Sequence, residues 1–430
     1  MSSRIGRPNY GGQFETDAGP TLPFVLPREI VDSAQSGTDG FTIVEASPER
    51  IEPGCVHFGI CGGCHYQHAG YALQIQLKVE ILAGLLHDAD LGELPAIEVL
   101  ASEPWGYRNR IRMRLRAQAA ASIEFGYSIA GSNQFLPVVM CPIAAPLLWR
   151  AVEALRTMGE PGARARIWLE AASEVELFAD AGQERLQMQL FLRKASAPVK
   201  ENDSFRIFCE TLQQRLPELC GAGALLAPEL PRRVRLSWSG VRWGADGLIY
   251  EAAGRSYWVS RGAFFQVNRF LMDGLVSLVS DLAGDGSGLA WDLFAGVGLF
   301  TRALAERFRK VVAVEGAKIA AADLLAAAHG MHAYEGIQMA TLDFLRLQQT
   351  QRELPDLVVL DPPRAGLGME GANLLAKLQP QKIVYVSCDP VTLARDLRVL
   401  VSRGYRLRKV HLVDLFPQTF HLESVVLLER

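Results

Sequence analysis

The sequence of 430 residues predicts an α/β protein with a Rossmann-like C-terminal domain and a central, mostly antiparallel α+β module. Two observations predict the C-terminal domain, residues 251–430. Strand-like runs at 311–314 and 357–360 alternate with helical segments, and a glycine-containing turn follows the first strand. A chain of this length suggests two or three domains, because single hydrophobic cores seldom grow to this size.

The central module, residues 53–250, shows no such alternation of strands and helices. Helical patterns at 72–86 and 146–156 occur together with strand-like runs near 111–116 and 122–127. We therefore expect its strands to pair mainly in the antiparallel sense.

The N-terminal segment, residues 1–52, is rich in Gly, Pro, Ser and Asp. It contains two strand-like runs, at 24–26 and 41–44, which are too few for an independently stable sheet. We therefore predict a short segment without a core of its own.

Charge and composition exclude several classes of protein. A net charge of -3 gives no global attraction to nucleic acid, so such binding requires a local basic surface. The N-terminus lacks an apolar signal segment and no run of about 18 apolar residues occurs, so we expect a cytoplasmic protein. Its 7 cysteines are then candidates for metal, cluster or catalytic roles rather than disulfides. A monomer is the simplest expectation.

The start of the C-terminal domain has the features of an adenosine-binding site. Residues 289–294 predict the first strand, and the turn into a helix at 300–308 contains Gly296 and Gly298, which allow a ligand to approach the backbone closely. Glu315 ends the next predicted strand, where a carboxylate can bind the ribose hydroxyls. The alternative is a simple tight turn.

The type of ligand follows from what this site lacks. A dinucleotide-binding loop normally has a third glycine, and Thr301 occupies that place, so S-adenosylmethionine fits better because it has no pyrophosphate. Asp343 is expected at the end of the third strand, where it would accept from the adenine amino group or lie in a solvated loop. Asp361 opens an Asp-Pro-Pro-Arg sequence after the fourth strand and is expected to orient substrate or cofactor.

Cys388 is expected at the carboxyl end of a strand. Residues 382–386 form a buried-strand pattern, and a helix is predicted from residue 391. A helix N-terminus favours the thiolate, so Cys388 is a candidate nucleophile. The alternative is an inert buried cysteine.

Four other cysteines show the spacing of metal or cluster ligands. The spacing is C-x5-C-x2-C followed by a distant Cys-Pro, and the residues are Cys55, Cys61, Cys64 and Cys141. Four thiolates suit a [4Fe-4S] cluster or zinc, and coordination number alone does not separate them. Three histidines are alternative zinc ligands, namely His57, His65 and His68. The remaining two cysteines, Cys209 and Cys220, are predicted to be core residues.

Arginine occupies every second position from Arg108 to Arg116. On a strand this period places all five guanidinium groups on one face and leaves the apolar residues between them facing a core. Five like charges in a row repel one another unless a polyanion is near, which favours RNA contact over a solvated strand face.

Taken together, these motifs resemble the RNA uracil-C5 methyltransferases that make 5-methyluridine. The resemblance covers residues 53–430 and is closest to the iron-sulfur members that act on 23S rRNA. It rests on the four spaced cysteines and on five further sequences: Phe-Phe-Gln-Val-Asn at 264–268, Asp-Leu-Phe-Ala-Gly-Val-Gly at 292–298, Asp-Pro-Pro-Arg at 361–364, Ser-Cys-Asp-Pro at 387–390 and His-Leu-Glu-Ser-Val at 421–425.

The resemblance implies a class I S-adenosylmethionine-dependent methyltransferase domain and specific residue roles. It implies that Cys388 is the nucleophile that adds to uracil C6 and that Glu423 is the base that removes the C5 proton. It also implies a cofactor pocket lined by Gln266, Phe294, Glu315 and Asp361, and a [4Fe-4S] cluster on the four spaced cysteines. Reaching C6 requires a flipped uridine in single-stranded or loop RNA.

Other functions stay open at this point. Many cluster-containing relatives begin with an OB-like RNA-binding barrel, and residues 1–52 look too short and strand-poor for more than a truncated one, which leaves the target RNA in doubt. A transfer RNA uridine methyltransferase is the first alternative. An exocyclic-amino methyltransferase and a non-enzymatic iron-sulfur RNA-binding protein are the others.

Overall fold

A computed structural model describes residues 2–17, 19–32, 40–117, 122–163, 166–193, 202–227, 240–286, 288–329, 333–351 and 354–430. These residues form two compact units. The first comprises Met1–Gly59, Gly63–Pro104 and Gly274–Arg430, and the second comprises Ile60–Gly62 and Trp105–Asp273. The N-terminal segment and residues 63–104 therefore belong to the same unit as the Rossmann-like domain, a grouping that differs from the three consecutive regions expected from the sequence.

The described residues of the N-terminal segment form five strands and not two. They are β1 (Ser2–Asn9), β2 (Gln13–Thr16), β3 (Leu22–Pro23), β4 (Ile30–Asp32) and β5 (Thr42–Glu45). They form an antiparallel sheet in the order β3-β2-β1-β4-β5. The expectation of a strand-poor segment was wrong because most of these strands are too short to show a periodic pattern. Their core is completed by Tyr66, Leu73 and Leu77, which lie outside the segment.

Two elements connect this sheet to the rest of the chain. Helix α1 (Tyr71–Asp88) confirms the predicted helical pattern, and strand β6 (Ile97–Leu100) follows it. The buried residues of α1 include Leu77, Ile81 and Leu82, together with one lysine, Lys78.

The second unit contains a seven-stranded, mostly antiparallel sheet, as predicted. Its strands are β7 (Arg110–Arg116), β8 (Glu124–Ser128), β9 (Phe135–Pro137), β10 (Ala172–Ala179), β11 (Leu186–Leu192), β12 (Leu219–Leu226) and β13 (Val241–Gly244), in the order β13-β12-β11-β10-β7-β8-β9. Only the β11–β12 pair in this sheet is parallel among the residues described. The described residues of this part also form α2 (Pro146–Met158), α3 (Arg166–Ala171), α4 (Asn202–Arg215) and a hairpin of β14 (Gly247–Ala252) and β15 (Arg255–Ser260).

The C-terminal part confirms the Rossmann-like α/β architecture. Its strands are β16 (Leu289–Leu293), β17 (Lys310–Glu315), β18 (Tyr334–Gln338), β19 (Leu357–Leu360), β20 (Lys382–Ser387), β21 (Arg406–Val413) and β22 (Glu423–Glu429). The helices are α5 (Met272–Ala283), α6 (Thr301–Leu304), α7 (Lys318–Ala328), α8 (Thr341–Gln348), α9 (Gly368–Leu378) and α10 (Pro390–Ser402). The helix predicted at 300–308 is therefore only the short α6.

The order of these strands determines where a ligand can bind. The sheet runs β18-β17-β16-β19-β20-β22-β21-β6, and β16 to β20 are parallel. The chain moves outward from β16 to β18 and then returns to β19 on the other side of β16. Ligands of such sheets bind at the carboxyl ends of the strands where the order reverses, which here is between β16 and β19.

No helix in the ranges described is both long and apolar enough to cross a membrane.

Candidate active site

Cys388 and Glu423 lie opposite each other at one end of the large sheet. Strands β20 and β22 are antiparallel, and their last registered pair is Ser387 with Ser424. Cys388 directly follows Ser387 and Glu423 directly precedes Ser424, so both lie just beyond this pair, and the charge of Glu423 acts on the Cys388 thiol. Cys388 is half-buried, whereas Glu423 is only 1% exposed. The register thus brings together the predicted nucleophile and the predicted base.

Asp361 lies at the end of the strand next to Cys388. It follows β19, whose Leu360 pairs with Tyr385 of β20, and its backbone N–H donates to the carbonyl of Leu293 at 3.2 Å. The charge of Asp361 influences the pKa of both Cys388 and Glu423. An acid, a thiol and a second acid therefore lie at the same edge of the sheet, after β19, after β20 and at the start of β22.

The thiol of Cys388 is a weak acid in this environment. Burial raises its pKa to about 12, and the negative charges of Glu423 and Asp361 add to this effect. Arg364 lowers the pKa, and Asp389 raises it. The predicted effect of the helix N-terminus on the thiolate stays a prediction, and Asp389 caps α10 there by accepting from the Thr392 N–H at 2.9 Å.

Glu423 is protonated more readily than an ordinary carboxyl. Burial raises its pKa well above the usual value, and the charge of Asp361 raises it further. Its Oε1 atom has no hydrogen-bond partner among the residues the structure describes. A buried acceptor of this kind is available to a substrate proton.

The predicted adenosine site lies at the point where the strand order reverses. Phe294, directly after β16, has a left-handed backbone with φ of 60°, which is strained for a phenylalanine and common at functional sites. A Cβ built on Gly296 meets nothing within 4 Å, so the turn leaves open space. Glu315 ends β17, and its carboxylate accepts from the N–H groups of Gly296 at 2.8 Å and Ala317 at 2.6 Å.

The structure also identifies a residue whose role the sequence did not suggest, Asp292 of β16. It is 0% exposed, and its Oδ2 accepts from the Thr301 hydroxyl at 2.5 Å. Burial raises its pKa to about 7, and the charge of Glu315 adds to the effect. Thr301, which occupies the position of the third glycine of a dinucleotide-binding loop, therefore hydrogen-bonds to the buried side chain of Asp292. The only signal in the sequence was an aspartate inside an apolar strand.

Asp343 does not lie at a strand end. Strand β18 ends at Gln338, and Asp343 lies in the first turn of α8, where it is largely exposed and pairs with Arg346 at 2.9 Å. The position predicted for it was therefore wrong, because the helix begins earlier than the sequence pattern indicates.

Gln266 belongs to the second unit, whereas the other predicted cofactor residues belong to the first. It is 6% exposed, and its backbone carbonyl accepts from the side-chain amide of Asn109 at 3.2 Å.

The four spaced cysteines are half-buried, and each unit contains two of them. In the second unit Cys61 and Cys141 interact: burial raises the pKa of Cys141, and the charge of Cys61 raises it further. The Tyr127 hydroxyl lies 3.9 Å from the Cys141 sulfur. Within the described ranges, no group of three or more His, Cys, Asp or Glu side chains is arranged to hold a metal ion.

The three histidines considered as zinc ligands favour the neutral form of the imidazole ring. Burial lowers the pKa of His65 and of His68 to about 4 in each case, and it also lowers that of His57. The Nε2 atom of His68 lies 3.1 Å from the Val25 carbonyl, so this ring contacts the backbone of the N-terminal segment. Cys209 is buried as predicted, whereas Cys220 is only half-buried.

The arginine-rich strand β7 has the predicted faces, since Ile111, Met113 and Leu115 are buried. Its charges are not isolated, however. Arg112 pairs with Glu174 of β10, and Arg116 pairs with Glu124 of β8 at 2.7 Å. Acidic residues on neighbouring strands supply the counter-charge, so the argument that this strand needs a polyanion was wrong.

A second contact that the sequence did not suggest comes from the N-terminal sheet. The hydroxyl of Tyr10, in the turn after β1, lies 3.5 Å from the carbonyl oxygen of Cys388. The two residues are 378 positions apart, so no local pattern indicates this contact.

Comparison with known proteins places this geometry in context. A family model described as tRNA (Uracil-5-)-methyltransferase matches residues 250–430. The 23S rRNA (uracil(1939)-C(5))-methyltransferase RlmD of Enterobacter sp. (strain 638) is 33% identical over 395 residues, which cover 89% of this chain and 83% of the relative. The protein of the same name from Klebsiella pneumoniae (strain 342) is 34% identical over 394 residues, with the same coverage of 89% and 83%.

Among solved structures, the Pyrococcus abyssi tRNA (uracil-54, C5)-methyltransferase in complex with S-adenosyl-L-homocysteine has a similar fold. The TM-score is 0.74 at 23% identity, and the match covers 100% of this chain and 99% of that chain. This likeness confirms the predicted α/β fold.

Proposed function

The chain belongs to the family of RNA (uracil-C5) methyltransferases, and from this premise we propose that it methylates C5 of a uridine in RNA with S-adenosylmethionine as methyl donor. The observation that carries the proposal is the position of Cys388 and Glu423 just beyond the Ser387–Ser424 pair, where each interacts electrostatically with Asp361. A thiol and a base on the same site are what the chemistry of uracil C5 requires, because C5 is a poor nucleophile until C6 has been attacked.

Cys388 and Glu423 act in different steps of the reaction. The thiolate of Cys388 adds to C6, and the electron density released toward C5 makes that carbon nucleophilic. When bound, S-adenosylmethionine would supply the electrophilic methyl group that C5 takes up, and it would leave as neutral S-adenosylhomocysteine. Glu423 then removes the C5 proton, and the C6–S bond breaks to release Cys388 as the C5–C6 double bond re-forms.

The features at the strand reversal fit an adenosine-containing cofactor. Open space at Gly296 and the carboxylate of Glu315 suit a ribose, and Phe294 and Asp361 lie at neighbouring strand ends. We propose that these four residues hold the cofactor. Gln266 and Asp343 remain predicted cofactor residues, although the exposed pairing of Asp343 with Arg346 makes it the weaker of the two.

We propose 23S rRNA as the substrate, because the two curated relatives that share most of their length with this chain are named for that activity. Transfer RNA is the second candidate, since the family model and the Pyrococcus enzyme are named for it. In either RNA the target uridine must leave its stack to expose C6 to Cys388. Methylation of purified 23S rRNA and transfer RNA, each isolated from a strain that lacks the gene, distinguishes the two.

A trapping experiment tests the covalent mechanism. RNA that contains 5-fluorouridine cannot lose the C5 substituent as a proton, so the adduct with Cys388 should accumulate and survive denaturing electrophoresis. Cys388→Ala should form no adduct, whereas Cys220→Ala, which removes a half-buried thiol of the second unit, should retain it. The absence of any adduct with the unaltered protein, despite active methyl transfer, would contradict the mechanism.

We also propose that Cys55, Cys61, Cys64 and Cys141 bind a [4Fe-4S] cluster. The ligand spacing supports this, and so does the interaction of Cys61 with Cys141, two thiols whose joint ionisation a bound cation would favour. The cluster has no step in the reaction proposed above. Anaerobic purification should give a brown protein with about four iron and four sulfide per chain. Colourless protein with stoichiometric zinc would contradict the assignment.

A further inference from the structure

The turn between β1 and β2 reaches the segment that carries the nucleophile. The Tyr10 hydroxyl lies 3.5 Å from the Cys388 carbonyl oxygen and also hydrogen-bonds to the side chain of Asp389. The Tyr10 ring packs edge-on against Phe420, with ring centroids 5.5 Å apart and planes at 88°. Tyr10 therefore contacts both the Cys388 turn and the loop that leads into Glu423.

Gly12 shows that this turn is closely packed. Its φ is +79°, and a Cβ added there would lie 3.3 Å from His65 and 3.3 Å from Phe420. The neighbouring Gly11 also has a positive φ, of +116°, but a Cβ added there would meet nothing within 4 Å. A Cβ at Gly12 would therefore require its neighbours to shift by a few tenths of an ångström, whereas a Cβ at Gly11 would not.

We propose that Tyr10 is a positioning residue of the active site. Its hydroxyl holds the strand-to-helix turn that presents Cys388. By donating to Asp389, the residue after Cys388, it also weakens the effect of that negative charge on the thiol. The N-terminal sheet thereby completes the active site, in addition to any contact it makes with RNA. This inference rests on the function proposed above.

The electrostatic part of this role has a defined sign. Four charged groups act on Cys388 besides burial: Glu423, Asp361 and Asp389 raise its pKa, and Arg364 lowers it. A hydrogen bond from Tyr10 weakens the effect of Asp389, since a donor stabilises the carboxylate charge. Removal of the hydroxyl should therefore raise the pKa of Cys388 and move the rate of thiolate addition to higher pH.

Tyr10→Phe tests the hydroxyl while it keeps the ring against Phe420. We expect kcat to fall about tenfold with little change in KM, as for the loss of one hydrogen bond to a charged group. The pH profile of adduct formation with 5-fluorouridine RNA should move to higher pH. The matched control is Tyr334→Phe, because the Tyr334 hydroxyl is buried without a hydrogen-bond partner in the part of the chain that is described.

Gly12→Ala and Gly11→Ala test the position of the turn. Both substitutions strain the backbone, but only Gly12→Ala should displace the turn and reproduce the kinetic effect of Tyr10→Phe. Unchanged melting temperature and S-adenosylhomocysteine binding would show that each variant is folded. The inference would be overturned if the wild-type protein is active and the Tyr10→Phe and Tyr334→Phe variants have equal activity and the same pH profile. An inactive wild-type protein would instead contradict the proposed function.

Discussion

Cys388 and Glu423 lie directly beyond the Ser387–Ser424 pair at the end of the β20–β22 ladder, and their charges interact. Two anions at such a position repel each other, and burial opposes the ionisation of both. The pKa of each group is accordingly raised. Both pKa shifts favour the protonated forms. Addition of the thiolate to uracil relieves the repulsion, because the sulfur loses its charge when it forms the C6–S bond.

Glu423→Gln separates the two halves of the reaction. Loss of the Glu423 charge should lower the pKa of Cys388, so the adduct with 5-fluorouridine RNA should form faster near neutral pH. Methyl transfer to ordinary uridine RNA should fall about 10²- to 10⁴-fold, the usual contribution of a general base. The control Glu429→Gln removes a carboxylate from the other end of β22 and should change neither rate. Slower adduct formation in Glu423→Gln would contradict the electrostatic argument.

Arg364 is the cation whose charge lowers the pKa of Cys388. Arg364→Gln should raise this pKa, so the pH profile of adduct formation should move to higher pH, in the opposite direction to Glu423→Gln. Arg364→Lys should restore part of the effect because it keeps the charge. Arg403→Gln, at an exposed arginine that bonds to Asn373, is the control. Identical profiles for Arg364→Gln and wild type would contradict the prediction.

The sequence predicts well those residues of the active site that lie at the ends of strands. The parallel sheet, the Glu315 and Asp361 strand ends and the Cys388 turn are all local patterns, because buried parallel strands form apolar runs and their termini are marked by polar residues. Charge states were less predictable. The helix N-terminus near Cys388 is a local feature, as is Asp389, but the two acids that raise the pKa of Cys388 most come from β22 and from the loop after β19.

The N-terminal sheet was missed for a different reason. Its strands are short, and part of its core comes from α1 and from Tyr66. Its contact with the active site depends on one side chain, Tyr10, whose partner is 378 residues away. No periodicity in either segment indicates such a contact. The arginine-rich strand shows the converse, because its period predicted the two faces correctly but not the acidic neighbours on β8 and β10.

Asp292 makes stability depend on pH. Burial raises its pKa from 3.8 to about 7, so its contribution is full below about pH 4 and is lost as pH rises toward 7. This change corresponds to about 4 kcal/mol in the free energy of unfolding. Asp292→Asn should remove this part of the pH dependence, whereas Asp285→Asn, at a carboxylate that is 86% exposed, should not. Urea denaturation of the cofactor-free protein at pH 5 and pH 8 measures the free energy of unfolding of each variant. The same change in that free energy between the two pH values for wild type, Asp292→Asn and Asp285→Asn would contradict the assignment.

Lys78 anchors the loop that precedes Glu423. Lys78 and Asp414 are both 0% exposed, their charged atoms are 2.6 Å apart, and the Lys78 ammonium also donates to the Phe416 carbonyl at 2.9 Å. Lys78→Met leaves Asp414 buried without its cation, which should lower the free energy of unfolding by about 3–5 kcal/mol. It should also lower methyl transfer, because the loop leads directly into the strand that begins at Glu423.

A double variant separates the buried charge from the loss of the anchor. Lys78→Met with Asp414→Asn removes both charges and should recover most of the lost stability, since the penalty comes mainly from the unpaired carboxylate. Methyl transfer should recover less, because the bond to the Phe416 carbonyl is still absent. The exposed pair of Lys409 with Glu98 provides the control, and Lys409→Met should have little effect on unfolding. Lys78→Met that is as stable as Lys409→Met would show that the buried pair does not hold this loop.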